Sequence, residues 1–263
     1  MKNTSMRNVW DVLYPVLLYL VVSDCVYTLL SLAFGEGMVS EMALQIFTAV
    51  ISSPSVFYIY YSDKRQRKAA REEKDSRESG DRKAGTKILH VVLICGAAVL
   101  LSVSLNNLIS LTALKEQSEA YQRVNASFFS SNLWVELLGT SLVTPVLEEM
   151  LYRGIVYERL KRYGKMSFAV CMSAFVFGIM HFNLVQFLYA GIIGLFLAGV
   201  YEMEGTLLVP ILSHAVANAV SVLRTELGLF GWLTQKNIFF VPISLIMLVI
   251  SVIIIWYVKR PAT

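Results

Sequence analysis

Residues 238–258, IFFVPISLIMLVISVIIIWYV, form a run of 21 residues without a charged side chain, and this run limits the possible folds. At ~1.5 Å of rise per residue, a helix of this length crosses a hydrocarbon layer of about 30 Å. The chain is 56% hydrophobic, whereas soluble domains contain roughly 45–50% apolar residues. Lipid cannot hydrogen-bond to backbone groups, so a spanning segment must satisfy its own. The sequence therefore predicts an all-α, polytopic membrane protein built as a helical bundle.

The hydropathy pattern predicts about eight transmembrane helices. Their expected ranges are 9–34, 41–61, 88–113, 132–157, 166–182, 184–203, 206–224 and 238–258. We divide the chain into N-terminal helices (1–61), a basic cytoplasmic loop (62–87), a third helix with an external loop (88–129), a catalytic core (130–223) and a C-terminal helix (224–263).

Basic residues outside the helices indicate the orientation. The segment 62–87 carries ten Lys or Arg, and the segment 159–165, RLKRYGK, carries four. Both ends of the chain are basic as well. Because Lys and Arg collect on the cytoplasmic side of membrane proteins, we expect both termini in the cytoplasm. Short connections and compact length favour a bacterial plasma membrane. The expected partners are the lipid bilayer and a peptide or protein substrate at the membrane, and no nucleic acid.

Several ionisable side chains lie inside apolar segments, where each costs at least ~2.5–3.5 kcal/mol and usually faces a bundle interior or a water-filled cavity. They lie in the fourth, fifth and seventh segments. These residues, with one nearby amide, are Glu148, Glu149, Arg153, His181, His214 and Asn218.

Helical spacing separates the two glutamates. Glu149 and Arg153 are four residues apart and can form an ion pair on one helix face. Glu148 lies about 100° around the helix from Glu149 and can point into a cavity. Pro145, three residues earlier, removes a backbone donor and is expected to disturb the helix beside the site.

Two chemistries fit these residues. In the first, Glu148 is a general base for a water shared with His181, while His214 and Asn218 donate hydrogen bonds to the oxyanion. In the second, Glu148, His181 and His214 bind Zn²⁺, which activates the water. The HExxH spacing of zinc proteases is absent and Asn is a poor zinc ligand. The residues therefore favour the first chemistry, with no cofactor.

Three short motifs carry a family resemblance. EEMLYRG (148–154), FGIMH (177–181) and HAVAN (214–218) resemble the motifs EExxxR, FxxxH and HxxxN of the CPBP family, the CAAX proteases and bacteriocin-processing enzymes also known as the Abi family. The order of the motifs matches, and the resemblance covers roughly residues 130–223.

This resemblance implies an intramembrane, glutamate-dependent endopeptidase whose site opens toward the cytoplasm. Its substrates would be membrane-associated, CAAX-like or leader peptides. Carried over by motif, Glu148 would be the catalytic base, His181 would position water, and His214 with Asn218 would form the oxyanion site. Glu149, Arg153 and Phe177 would have supporting roles. Family members are also described as metalloproteases, so the resemblance leaves Zn²⁺ open.

Two other functions remain as alternatives. The protein could be a bacteriocin self-immunity or scaffold protein that keeps the fold without turnover. It could also be a transporter with a proton or metal path through Glu148 and the histidines. The chain lacks the paired repeats that usually accompany a transport site.

Overall fold

The computed structural model describes residues 2–35, 37–75, 88–229 and 238–259, and every regular element in these ranges is a helix. The first five helices are α1 (Lys2–Phe34), α2 (Glu41–Asp75), α3 (Ile88–Ile109), α4 (Leu114–Gln117) and α5 (Glu119–Phe128). The next is a continuous helical run over residues 133–163, which we call α6. The last four are α7 (Met166–Ile179), α8 (Leu184–Glu204), α9 (Leu208–Glu226) and α10 (Phe240–Val258).

Helix α6 widens twice from α-helical to π-helical hydrogen bonding. It begins at Leu133 after an N-cap in which the Asn132 side chain accepts from the backbone N–H of Trp134 and Val135. Two of its stretches, Leu137–Val143 and Met150–Tyr157, are π-helical, and the turns between and after them are α-helical. Such wide turns are rare and often occur at functional sites. Glu148 and Glu149 end the α-helical piece between them.

The predicted all-α membrane bundle is confirmed, with each of the eight predicted segments forming helix. Six helices of the described ranges are long and apolar enough to cross a membrane: α1, α2, α3, α8, α9 and α10. Helix α6 is the fourth predicted segment. Helix α7 is the fifth, and it has only 14 residues. The chain is an integral membrane protein.

The predicted boundaries were wrong in two places. The segment expected to be a basic loop from residue 62 continues α2 as far as Asp75, because KRQRKAAREEKD contains good helix formers and neither Gly nor Pro. The rest of that predicted loop, 76–87, lies outside the described residues. The predicted external loop after α3 contains α4 and α5, and the Ser118 side chain caps α5 by accepting from Tyr121 N–H.

Helices α7 and α8 pack closely because glycines lie where they cross. A Cβ on Gly178 would lie 3.0 Å from the backbone oxygen of Phe187, and a Cβ on Gly194 would lie 3.0 Å from the Phe177 ring. Small residues allow this close approach between membrane helices. It brings the end of α7, with Phe177, against the middle of α8.

The outer surface of the bundle is apolar, as lipid contact requires. Large exposed side chains include Leu29, Val50, Ile246 and Ile253. The three cysteines are all free, and although they lie in apolar segments, Cys25 and Cys171 are exposed. An apolar residue in a membrane helix can face lipid instead of protein, so hydrophobic surroundings in the sequence do not imply burial.

A buried ion pair joins α1, α2 and α6 at the end of the bundle that carries the basic segments. The Arg159 guanidinium donates to both carboxylate oxygens of Asp63, at 2.7 and 2.9 Å. It also donates to the backbone oxygen of Asp11 at 2.6 Å and to the Tyr14 hydroxyl at 2.9 Å. The side chains of Arg159 and Asp63 are only 4% and 6% exposed. One guanidinium therefore holds three helices together.

We expect the Arg159→Ala substitution to lower the free energy of unfolding by about 3–5 kcal/mol, because it leaves the Asp63 carboxylate buried without its main partner. Arg162→Ala is the matched control, since Arg162 lies on the same helix, 3.9 Å from the same carboxylate, but is 38% exposed. An exposed pair contributes about 0–1 kcal/mol. Thermal unfolding of detergent-purified variants measures both, and equal effects would contradict the assignment.

Candidate active site

Residues from seven helices, α3 to α9, and from the turn after α7 line a cavity of about 300 Å³ inside the bundle. All four residues predicted to be catalytic lie on its wall, together with Phe177. They are Glu148 from α6, His181 from the turn after α7, and His214 and Asn218 from α9. The structure therefore brings together side chains that are up to 70 residues apart in sequence.

Glu149 does not line the cavity but lies behind it. Its side chain is fully buried, and its Oε1 accepts from Nη1 of Arg153 at 2.7 Å. The same Oε1 is 3.0 Å from Nδ1 of His214. One carboxylate oxygen thus joins α6 to α9. The spacing argument separated the two glutamates as the structure does, because Glu148 faces the cavity while Glu149 is held in the ion pair.

Arg153 is enclosed by protein on all sides. Its Nη2 donates to the backbone oxygen of Gly194 at 3.2 Å, and its guanidinium carbon lies 4.6 Å from the centre of the Phe177 ring. This distance is within the range of a cation–π interaction. The Phe177 ring also makes edge contacts with the rings of His181 and His214, at centroid distances of 5.1 and 6.0 Å. Phe177 therefore separates the buried cation from the cavity and supports both imidazoles.

The contact between His214 and Glu149 indicates which imidazole nitrogen carries the proton. Because the carboxylate can only accept, Nδ1 of His214 is the donor in this hydrogen bond. Its other nitrogen, Nε2, lies 3.7 Å from Oε2 of Glu148. Nε2 is therefore an acceptor when the ring is neutral, and it becomes a donor when the ring is protonated. Glu148 is partly exposed, with 25% of its side chain accessible.

His181 is positioned by the turn that follows α7. Helix α7 ends at Ile179, and Phe182 has a φ of 55°, which is uncommon for a bulky residue and reverses the chain. Nδ1 of His181 lies 2.9 Å from the backbone oxygen of Phe177, so it carries the proton and leaves Nε2 as an acceptor. Asn183 donates to the His181 carbonyl and caps α8 by accepting from Gln186 N–H. His181 therefore lies in the turn after α7 and lines the same cavity as His214.

Asn218 is held by the irregular backbone of α6. Its Nδ2 donates to the backbone oxygen of Thr140 at 2.8 Å. In the first π-helical stretch the N–H of Thr144 bonds to Gly139, five residues earlier. The corresponding donor for Thr140 would be residue 145, which is a proline and has no N–H. The Asn218 amide supplies the missing hydrogen bond, and its second N–H is left for the cavity.

The residues proposed as zinc ligands fit a metal only in part. In both histidines Nδ1 is held by an acceptor and Nε2 is left, which is a common arrangement of metal-binding imidazoles. However, no three His, Cys, Asp or Glu side chains in the described ranges come close enough together to hold an ion. Glu148, His181 and His214 thus do not enclose a metal in this arrangement, and we derive no step through one.

Other residues of the cavity and its support carried no signal in the sequence. Thr140 and Gly194 act through their backbone oxygens, which no residue pattern reveals. Lys115 and Tyr121 of α4 and α5 line the cavity, although they lie in a segment predicted to be a loop. Their position could have been predicted only if α4 and α5 had been expected to fold as a hairpin over the core.

Two comparisons with known proteins match part of the chain. The family profile described as type II CAAX prenyl endopeptidase Rce1-like matches residues 130–220. The chain is 31% identical over 101 residues to the Bacillus subtilis (strain 168) protein named "Putative membrane peptidase YdiL". This similarity covers 38% of the chain and 41% of YdiL. No solved structure is significantly similar to the chain.

The matched segment contains all three motifs, the Glu149–Arg153 ion pair and the residues of the cavity wall discussed above, apart from those of α4 and α5. Over residues 130–220, the chain is therefore similar to type II CAAX prenyl endopeptidase Rce1-like proteins, in agreement with the resemblance of its three motifs to the CPBP family.

Proposed function

We propose that this protein is an intramembrane endopeptidase in which Glu148 activates a water molecule. The observation that carries the proposal is the meeting of Glu148, His181, His214 and Asn218 on the wall of one cavity within the membrane bundle. Such groups are costly inside a membrane and are usually functional. The substrates would be membrane-associated peptides, including CAAX-like or leader peptides.

In the proposed reaction, Glu148 takes a proton from water while the water oxygen attacks the carbonyl carbon of the scissile peptide bond. The free Nε2 of His181 accepts the other hydrogen of that water and orients it. The second N–H of Asn218 and the protonated Nε2 of His214 stabilise the oxyanion. The protonated Glu148 then gives its proton to the leaving nitrogen as the C–N bond breaks.

The buried pair behind the cavity supports this assignment. Glu149 accepts from Nδ1 of His214 and so orients the imidazole with Nε2 toward the cavity, where the protonated ring can donate to the oxyanion. Oε2 of Glu149 and Nε of Arg153 are buried without a hydrogen-bond partner among the described residues. A buried pair with unsatisfied atoms is a poor way to gain stability, since hydrophobic residues often do as well. Positioning of His214 gives a better reason for this pair to exist.

We expect Glu148→Gln to reduce cleavage by about 10²–10⁴-fold, the usual contribution of a general base, while the protein stays folded because Glu148 is at the cavity wall. Glu158→Gln is the matched control, since it makes the same change at the far end of α6 and should keep activity. The measurement is cleavage of membrane-anchored reporter peptides by purified protein.

The same assay separates the alternatives when it is repeated with a chelator. Cleavage that is lost with chelator and restored by Zn²⁺ would replace the glutamate mechanism with a metal site. Activity of Glu148→Gln equal to wild type would rule out Glu148 as the base. A function that survives substitution of all four proposed catalytic residues, Glu148, His181, His214 and Asn218, would favour an immunity or scaffold protein.

Arg153→Ala should lower the yield of folded protein and destabilise it by about 3–5 kcal/mol, because Glu149 would remain as an unpaired buried charge. The double variant Glu149→Gln/Arg153→Met should recover much of this stability, since no buried charge is left. It should not recover cleavage, because His214 would lose its carboxylate partner. Thermal unfolding and reporter cleavage measured together test this, and an active double variant would show that the pair is only structural.

A further inference from the structure

The cavity extends from Glu148 toward one end of the bundle. Its walls include Thr140 and Thr144 in the first half of α6, Gln186 near the start of α8, and Ser221 and Thr225 near the end of α9. Beyond these lie Lys115, Tyr121, Asn125, Phe128 and Phe129, which belong to α4, α5 and the residue after α5. The mouth of the cavity is thus at the end of the bundle where α4 and α5 lie.

In the opposite direction, α6 is tightly packed. Arg153, Ile155 and Tyr157 are fully buried there. Further along, the Tyr157 hydroxyl donates to Glu202 at 2.6 Å, and Lys161 pairs with the same carboxylate at 2.7 Å. This end also holds the Arg159–Asp63 pair.

The basic segments and the cavity mouth lie at opposite ends of the bundle. Sixteen residues of α6 lie between Thr144, near the mouth, and Lys161. Among the described residues, the connections at the mouth end, 35, 37–40, 110–132, 180–183, 227–229 and 238–239, contain only two Lys or Arg. By contrast, the described residues at the other end include six Lys or Arg in 62–75, four in 159–165 and three more near the ends of the chain, Lys2, Arg7 and Lys259. The positive-inside rule places the basic end in the cytoplasm.

We propose that the cavity opens on the extracytoplasmic face of the membrane, beneath a roof formed by α4 and α5. Its substrates would be membrane-proximal peptide segments of exported or membrane-anchored proteins, presented from that face. This inference rests on the proposed endopeptidase function for the nature of the substrate. The orientation of the mouth does not depend on it.

The two expectations drawn from the sequence cannot both hold in this fold. The resemblance implied a site that opens toward the cytoplasm, and the basic segments implied cytoplasmic termini. The described ends of the chain both lie at the basic end, because Asp11 in the first part of α1 contacts Arg159 and Val258 at the end of α10 packs in one cluster with Ile94 near the start of α3. A cavity that opens at the other end must then open to the outside whenever the termini are inside.

Polar contacts hold the roof over the mouth. Lys115 of α4 donates to the side-chain oxygen of Asn106 on α3, and its ammonium lies 5.8 Å from the centre of the Tyr121 ring. On the other side, Gln45 of α2 donates to the Ser127 hydroxyl of α5 at 2.6 Å. Helix α5 has no fully buried residue. The roof is therefore attached at its two sides and accessible from above.

Cysteine labelling in intact cells tests the orientation without any activity assay. The three native cysteines would be replaced by alanine and single cysteines introduced at Asn125→Cys, at the mouth, and Lys161→Cys, at the basic end, both exposed positions. A membrane-impermeant maleimide should label Asn125→Cys in intact cells. It should label Lys161→Cys only after permeabilisation. Arg123→Cys, on the same helix as Asn125, serves as a second mouth position if Asn125→Cys fails to fold.

The reverse labelling pattern would overturn the inference. A pair of single-span reporters that differ only in which side of the membrane presents the cleavable segment adds the functional test. Wild type should cleave only the outward segment, and Glu148→Gln should cleave neither. Outward labelling of Asn125→Cys with no cleavage of either reporter would contradict the proposed function and leave the orientation standing. Cleavage of the inward segment alone would overturn the orientation.

Discussion

Oε1 of Glu149 accepts hydrogen bonds from the Arg153 guanidinium and the His214 imidazole in a fully buried position. This shared oxygen fixes the distance between α6 and α9 and determines which nitrogen of His214 faces the cavity. Arg153 extends the link to α8 through the Gly194 carbonyl and to α7 through the Phe177 ring. All four helices of the core thus meet around one ion pair, and the groups on the cavity wall take their positions from it.

Much of this arrangement could be predicted from the sequence. The apolar run 238–258 was enough to predict a helical membrane protein, because length and composition alone determine whether a helix can span the bilayer. The spacing of Glu149 and Arg153 predicted their pair, because neighbours on one helix face depend only on local geometry. The free-energy cost of placing ionisable groups in lipid identified the side chains of the cavity wall and of the ion pair behind it. Their roles in catalysis remain predictions.

The rest depended on tertiary contacts and on departures from regular helices. The link between His214 and Glu149 joins residues 65 apart, and no spacing rule covers such a pair. The position of His181 could not be predicted, because the chain turns at Phe182. This residue has a left-handed backbone conformation, which is usually marked in a sequence by a glycine. The direction of the cavity could not be predicted either, because α4 and α5 are polar and too short to be recognised as membrane spans.

The π-helical stretches of α6 also determine the angular phase of its side chains. In a regular α-helix each residue turns about 100° from the last, so every position predicts the direction of all the others. A π-helical turn contains more residues than an α-helical turn. It therefore rotates all the side chains that follow it around the helix axis. The direction of Glu148 relative to the first turn of α6 is therefore set by an insertion-like feature of the backbone. In this helix, residue spacing is a reliable guide over short distances, such as the four residues from Glu149 to Arg153, but contacts that lie a few turns apart do not follow one regular period.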